Sequence, residues 1–225
     1  MYKILFVDEE EDVFEHFLDY VEASPLNAEF EVITELPLPE LDEMLDLVVK
    51  HSPDALITDF MLNEAKVDIK YNVPYNGSAL VQAFTELRQD FPCFILTSFD
   101  DQAINQSDDV NIVYIKNILH ADSEKQTKAR ASFLERVKKQ INHYRTRIEE
   151  KESRLTELIK LREEGGADII DEKELIELDD FLEKSIDKKS IVPSEFKQLS
   201  NTQRLSQVLS KMDEMLNKIN SGDGK

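Results

Sequence analysis

Cysteine is almost absent from the 225-residue sequence, with Cys93 the sole example. That excludes an intramolecular disulfide and a cysteine-built zinc site. Within "PCFIL" the thiol reads as a small buried hydrophobe. The four histidines, His16, His51, His120 and His143, are scattered and form no relay or metal cluster. There is no glycine-rich phosphate loop among the five glycines. No apolar run approaches the ~20 residues of a membrane-spanning helix. The opening "MYKILFVDEE" lacks the features of a signal peptide, so a cytoplasmic, membrane-free setting is expected. Bases are scarce in one half only. Residues 1–119 hold 25 acids and 6 bases, whereas residues 120–225 hold 22 acids and 21 bases. The acidic half should repel nucleic acid and acidic membranes and attract cations.

What is present in that half is an alternation. "KILFV" (3–7), "EFEVITEL" (29–36), "ALITD" (55–59), "CFILTSF" (93–99) and "NIVYIK" (111–116) read as strands. Between them, 11–23 carries Val13, Phe14, Phe17, Leu18 and Val21 at helical spacing. Residues 39–51 read as a helix opened by Pro39, and 78–91 as a third helix with Leu80, Val81, Phe84 and Leu87. A short helix or turn is expected over 100–107. Strands apolar on both faces, alternating with helices, predict an α/β fold with a doubly wound five-stranded parallel sheet.

Ligands of such sheets sit at the carboxyl ends of the strands. Those ends carry Asp8 and Glu9, then Asp59, then Thr97 and Ser98, and finally Lys116. An isolated aspartate at a strand end would be a turn residue or cap. Three carboxylates brought together repel one another unless a cation intervenes. Mg²⁺ suits oxygen ligands and keeps several waters. Asp59 would then be free to attack phosphorus, with the metal and Lys116 offsetting phosphoryl charge. The adjacent Glu10, Glu11 and Asp12 read as a solvated helix start favoured by the dipole.

With these residues in place, the chain resembles the receiver domain of two-component response regulators. The motifs are "ILFVDEEEDV", "ALITDFML", "NGSAL", "FILTSF" and "VYIK", in that order over roughly residues 1–120. The resemblance implies a flavodoxin-like strand order and phosphoryl transfer from a histidine kinase, a phosphotransfer protein or a small phosphodonor. It makes Asp59 the phosphoacceptor and Asp8, Glu9, Asp59 and the backbone carbonyl of Met61 the Mg²⁺ ligands. Thr97 takes the place of the switch hydroxyl and Lys116 that of the phosphate-contacting lysine, with Ser98 beside them. There are departures. Asn63 and Asn117 stand where the family usually has prolines, and a loop is inserted over 62–76. Val113 occupies the position of a common aromatic switch residue, while Tyr114, one place on, should face the other way. In the inserted loop, Tyr71 and Tyr75 are expected to serve local packing.

Residues 121–225 read as a helical output or interaction region. A long helix is expected over about 124–163, with Leu134, Val137, Ile141, Tyr144 and Ile148 forming a 3-4 seam before Lys151 interrupts it. That seam calls for a second chain, hence a homodimer, or for the later helices of the same chain. Gly165 and Gly166 should end the helix. "DEKE" (171–174) suggests a capping box led by Asp171. Further helices are expected after Pro193 and over 201–220. The bases of the long helix, from Lys125 to Arg147, read as solvated charge, without the aromatic interleaving of a nucleic-acid site.

The expected function is therefore phosphoacceptor signalling through protein contacts with an output partner, not enzyme catalysis beyond self-phosphorylation and autodephosphorylation. A pseudo-receiver scaffold that does not use phosphate is the main alternative. A DNA-binding regulator is a lesser one. A phosphatase of the haloacid dehalogenase type would need a second aspartate where Met61 stands.

Overall fold

The computed structural model describes residues 1–64, 71–98, 110–119 and 132–186. Five strands build one parallel sheet: β1 (Tyr2–Val7), β2 (Phe30–Glu35), β3 (Ala55–Asp59), β4 (Cys93–Thr97) and β5 (Val113–Ile115). Their order is β2-β1-β3-β4-β5, the flavodoxin-like arrangement with its switch point between β1 and β3. The α/β doubly wound fold is thus present. Three helices lie between strands: α1 (Glu11–Ala23), α2 (Leu41–His51) and α3 (Gly77–Leu87). Two more follow, α4 (Phe133–Glu163) and α5 (Ile169–Ile186). No described helix is long and apolar enough to cross a membrane.

Strand alternation sorts the core into two layers. Ile4 and Phe6 of β1, Ile57 of β3, and Phe94 and Leu96 of β4 face Phe17 and Val21 of α1. Leu5 and Val7, Leu56 and Ile95 point the other way, onto Met44, Leu45 and Val48 of α2 and Leu80, Val81 and Phe84 of α3. Cys93 is buried there, and desolvation drives its thiol well above the ordinary range, which keeps it inert.

Several boundaries differ from the sequence expectation, each for a local reason. The second helix begins at Leu41, not Pro39, with extended Glu40 as its N-cap. The preceding turn is occupied elsewhere: the hydroxyls of Tyr71 and Tyr75 donate to the carbonyls of Pro37 and Leu38 at 2.8 and 2.7 Å. So the two tyrosines of the inserted loop do serve packing, and Tyr75 is buried in the core. The third helix stops at Leu87, because Arg88 is extended and Asp90 adopts φ 61°. This turns Phe91 back onto Phe84, with ring centroids 5.0 Å apart. The fifth strand shrinks to three residues, with 3₁₀ turns Val110–Ile112 and Lys116–Leu119 on either side. The helix or turn expected over 100–107 lies outside the described residues.

The long helix starts at Phe133, where 124 was expected, and 124–131 lie outside the described residues. Its start is a reciprocal capping box: Glu135 N–H donates to Ser132 Oγ at 3.3 Å, and Ser132 N–H donates to Glu135 Oε2 at 2.6 Å. Its end is as expected, with Gly165 at φ +75°.

The seam on α4 has a different partner from the one predicted. Leu134, Val137 and Ile141 are buried in the sheet layer of Ile4, Phe6, Ile57 and Phe94, beside α1. Tyr144 packs on Phe91 with centroids 5.7 Å apart, and Ile148 is half-buried. The chain's own sheet therefore covers the stripe expected to meet a second copy or later helices. Each large side chain so buried is worth roughly 1.5–3 kcal/mol. The bases of α4 are held by the acidic sheet domain: Lys138 to Glu29 at 2.5 Å, Arg145 to Asp54 at 2.6 Å and Arg147 to Asp90 at 2.6 Å.

Two compact units result, Met1–Glu150 and Lys151–Lys225. The junction expected at 120/121 shifts because α4 up to Glu150 packs with the sheet. In the second unit, Leu155, Leu158 and Ile159 of α4 meet Leu175 and Leu178 of α5. Arg154 grips Glu174 through two hydrogen bonds of 2.9 and 2.7 Å. Lys151, which interrupts the seam, lies over the Phe181 ring, 4.4 Å from its centroid. The capping box of α5 sits one turn earlier than predicted. Asp168 accepts from Ile170 and Asp171 N–H, while Asp171 accepts from Asp168 N–H at 3.0 Å. Asp168 wins because the glycine turn releases the chain there, leaving Ile169 as the first helical residue. The helices expected after Pro193 and over 201–220 lie outside the described residues.

Candidate functional site

Every strand of the sheet runs the same way, so the residues after β1, β3, β4 and β5 share one edge. Asp8 follows β1, and Asp59 closes β3 one step beyond the Val7–Thr58 pairing. Thr97 closes β4, and Lys116 opens the turn after β5. Asp8 is fully buried and Glu9 and Asp59 are each 3% exposed. Such burial of three acids needs compensating charge and hydrogen bonds.

Lys116 supplies the charge. Its Nζ lies 2.9 Å from Asp8 Oδ2 and 2.6 Å from Asp59 Oδ1. The other Asp59 oxygen accepts the Met61 N–H, and Asp8 Oδ1 accepts the Glu10 N–H at 3.0 Å. Burial alone would lower the Lys116 pKa, but the charges of Asp59 and Asp8 outweigh it and hold the ammonium protonated. Glu9 is less well served. Desolvation, then the charges of Asp59 and Asp8, push its carboxyl up to about 8. Asp8 rises to about 6, again through burial first, with Lys116 opposing.

Of the residues singled out in sequence, Asp8, Asp59 and Lys116 are in direct contact, and Glu9 is coupled to them through its charge. Thr97 is fully buried at the same edge. Ser98 is exposed. The Met61 carbonyl accepts Glu64 N–H at 2.9 Å, which leaves its second lone pair for another partner. Val113 and Tyr114 pack against opposite faces of the sheet, Val113 with the α2–α3 layer and Tyr114 with the α1–α4 layer.

Two residues with a part in the site were passed over in the sequence reading. Glu10 holds the N-cap position of α1 without a side-chain capping bond and offers a carboxylate oxygen within 4.8 Å of ligand atoms on Asp8 and Glu9. Gly77, the first residue of α3, donates its N–H to Phe60 O at 2.9 Å. A Cβ built on it would stand 2.0 Å from the Asp59 carbonyl oxygen. Only glycine lets α3 press this closely on β3. The signal was the glycine in "NGSAL" behind an Asn whose side chain caps the helix. Gly77→Ala is expected to cost about 1–3 kcal/mol through overpacking. A thermal melt that matches the parent would contradict this contact.

The donor set fits a hard divalent cation. It is all oxygen, and its three buried carboxyl groups face the single ammonium of Lys116. Asp8, Glu9, Asp59 and the Met61 carbonyl are the groups that would hold Mg²⁺.

A pH dependence follows for the metal-free protein. Asp8 and Glu9 have ordinary values of 3.8 and 4.5, raised in the fold to about 6 and about 8. The folded state thus binds extra protons between those limits, and stability falls as pH rises through the window. Melting temperature in chelator should decline from pH 5 to pH 8, and Mg²⁺ should oppose the decline. Asp8→Asn with Glu9→Gln should flatten the profile and remove the metal response. A double variant that responds to Mg²⁺ as the parent does would place the cation elsewhere.

No family model matches the chain, and no curated protein matches it. Among solved structures, the crystal structure of the anti-anti-sigma factor PhyR from Bartonella quintana is similar, with a TM-score of 0.41 and 9% identity. That match covers 66% of this chain and 50% of the other, so this chain spans about half of that protein's length.

Proposed function

We propose that the protein is a receiver-type signalling protein that accepts a phosphoryl group on Asp59 and acts through protein contacts of its helical region. The observation that carries this reading is the buried Asp8–Lys116–Asp59 cluster at the carboxyl edge of a β2-β1-β3-β4-β5 parallel sheet.

Asp59 is the nucleophile. One carboxylate oxygen forms a bond to phosphorus while the bond from phosphorus to the donor breaks, and the leaving group departs with the electron pair. The Met61 N–H orients the carboxylate. Lys116 stands where its ammonium can follow the negative charge onto the phosphoryl oxygens. Thr97, buried at the end of the neighbouring strand, would offer its hydroxyl to the transferred group. Mg²⁺, when bound, supplies the positive charge that the acidic cluster lacks. The donor would be a histidine kinase, a phosphotransfer protein or a small phosphodonor, and the receiver of the signal an output protein.

The pseudo-receiver reading has its own support: both Asp59 oxygens are engaged and the residue is nearly inaccessible. One assay separates the two. Incubated with Mg²⁺ and acetyl phosphate, the protein should gain one acid-labile, hydroxylamine-sensitive phosphoryl group, read as an intact-mass increase at near-neutral pH. A chain that stays unlabelled while Mg²⁺ binds would favour the scaffold. Lys138, Arg145 and Arg147 each pair with an acid of the chain, which weighs against a DNA-binding reading.

A further inference from the structure

We infer that the cavity between α3, the start of β4 and α4 binds a nucleoside monophosphate, with Arg88 taking the phosphate. This does not rest on the phosphoacceptor reading, because the cavity shares no residue with the Asp8–Lys116–Asp59 cluster. Its volume is about 440 Å³, and small-molecule sites run from roughly 300 to 1,000 Å³. The wall is apolar and in part aromatic, formed by Val81, Phe91, Pro92, Ile95, Ile112 and Tyr144. Such a wall suits a flat ring system.

The exposed rim is rich in carboxamides: Gln82, Gln89, Asn111 and Gln140. Each offers donors and an acceptor in one plane, and a nucleobase edge presents both kinds of group. The charges point to an anion at one end. Asp90 is the one acid among the described lining residues, and Arg147 pairs with it at 2.6 Å. Arg88, the C-cap of α3, is served differently. Residues 1–119 hold 25 acids and 6 bases, yet Arg88 has no ion pair among the described residues, and its buried Nε has no hydrogen-bond partner there. Its guanidinium lies over two rings instead, 5.8 Å from the centroid of Phe84 and 5.9 Å from that of Phe91 in the cavity wall. The charges of Arg88 and Arg147 both reach the Tyr144 hydroxyl, where they oppose the rise that burial imposes on its pKa. A guanidinium stacked on rings keeps its charge and its fork of donors, and a phosphate monoester matches both.

The test is isothermal titration calorimetry of the full chain with AMP, GMP, CMP and UMP, in EDTA so that no metal bridges a phosphate to the acidic cluster. At least one of the four should bind one to one with a Kd below about 1 mM. The matching nucleoside and inorganic phosphate, offered separately, should each bind at least about tenfold more weakly, since each makes only part of the contact. Arg88→Gln should weaken the nucleotide by about tenfold or more, the loss expected of a charge-assisted hydrogen bond. Gln82→Trp, at an exposed rim position, should block the mouth and abolish binding, and it serves if Arg88→Gln does not fold. A chain that binds none of the four nucleotides overturns the inference. So does inorganic phosphate that binds as well as the nucleotide, which would reduce the site to an anion contact. Nucleotide binding that survives unchanged in folded Arg88→Gln, or failing that in folded Gln82→Trp, overturns it too by placing the ligand elsewhere.

Discussion

Asp59→Asn is expected to abolish phosphoryl labelling completely while the chain stays folded. A carboxamide has nearly the size of the carboxylate but no charged oxygen to attack phosphorus. The exchange has two opposing effects on stability. It takes away the 2.6 Å ion pair with Lys116. It also removes one of the charges that raises Glu9 and Asp8. Lys116 keeps Asp8 at 2.9 Å, so no ammonium is left alone in the core. The net change should be small against the 5–15 kcal/mol that holds a typical domain together. Intact mass with acetyl phosphate and Mg²⁺ checks the chemistry, and circular dichroism checks the fold. Labelling of a folded Asp59→Asn protein at the parental level would move the acceptor to another carboxylate, and peptide mapping would say which.

The cluster was legible because a parallel sheet brings the carboxyl ends of its strands to one edge. Once five apolar runs are read as strands, their last residues must share an edge, and Asp8, Asp59 and Lys116 meet there. The sequence does not reveal how fully that edge is closed. Near-complete burial of Glu9 is a tertiary outcome that no spacing rule reports. Gly77 illustrates the same limit. Its close approach to the Asp59 carbonyl is a fact about two segments far apart in sequence, so the glycine reads only as part of a helix start.

The helical region shows what periodicity leaves open. Spacing of Leu134, Val137, Ile141 and Tyr144 marks an apolar stripe, but a stripe does not name its partner. A heptad-like seam and a helix packed on a sheet look alike over two or three turns. Two local signs did bear on the answer. "SFLE" at 132–135 is a capping box that starts the helix at Phe133, too late for a seam independent of the sheet. Lys151 then ends the apolar run where the helix leaves the sheet domain. Other boundaries were lost to tertiary contacts. The hydroxyls of Tyr71 and Tyr75 hold the approach to α2 extended, and Asp90 at φ 61° ends α3 early, neither of which propensity encodes.

Ile141→Asp should therefore unfold the sheet domain; it should not split a dimer. Ile141 is 1% exposed and packs among Ile4, Phe6, Ile57 and their neighbours. Removing its side chain forfeits about 2–5 kcal/mol of burial and packing. The introduced carboxylate must then be desolvated or protonated among these apolar side chains, adding a penalty of several kcal/mol. Together these approach the whole stability of a typical domain. Ile141→Val, which keeps the apolar character, should cost only about 0.5–1.5 kcal/mol. Ile148→Asp, at a half-buried position on the same helix, should fall between the two. Urea unfolding followed by circular dichroism gives the order, and light scattering across a concentration series reads the oligomeric state. If Ile141→Asp kept parental stability and became monomeric from a dimeric parent, the stripe would belong to an interface between chains and the packing on the sheet would be wrong.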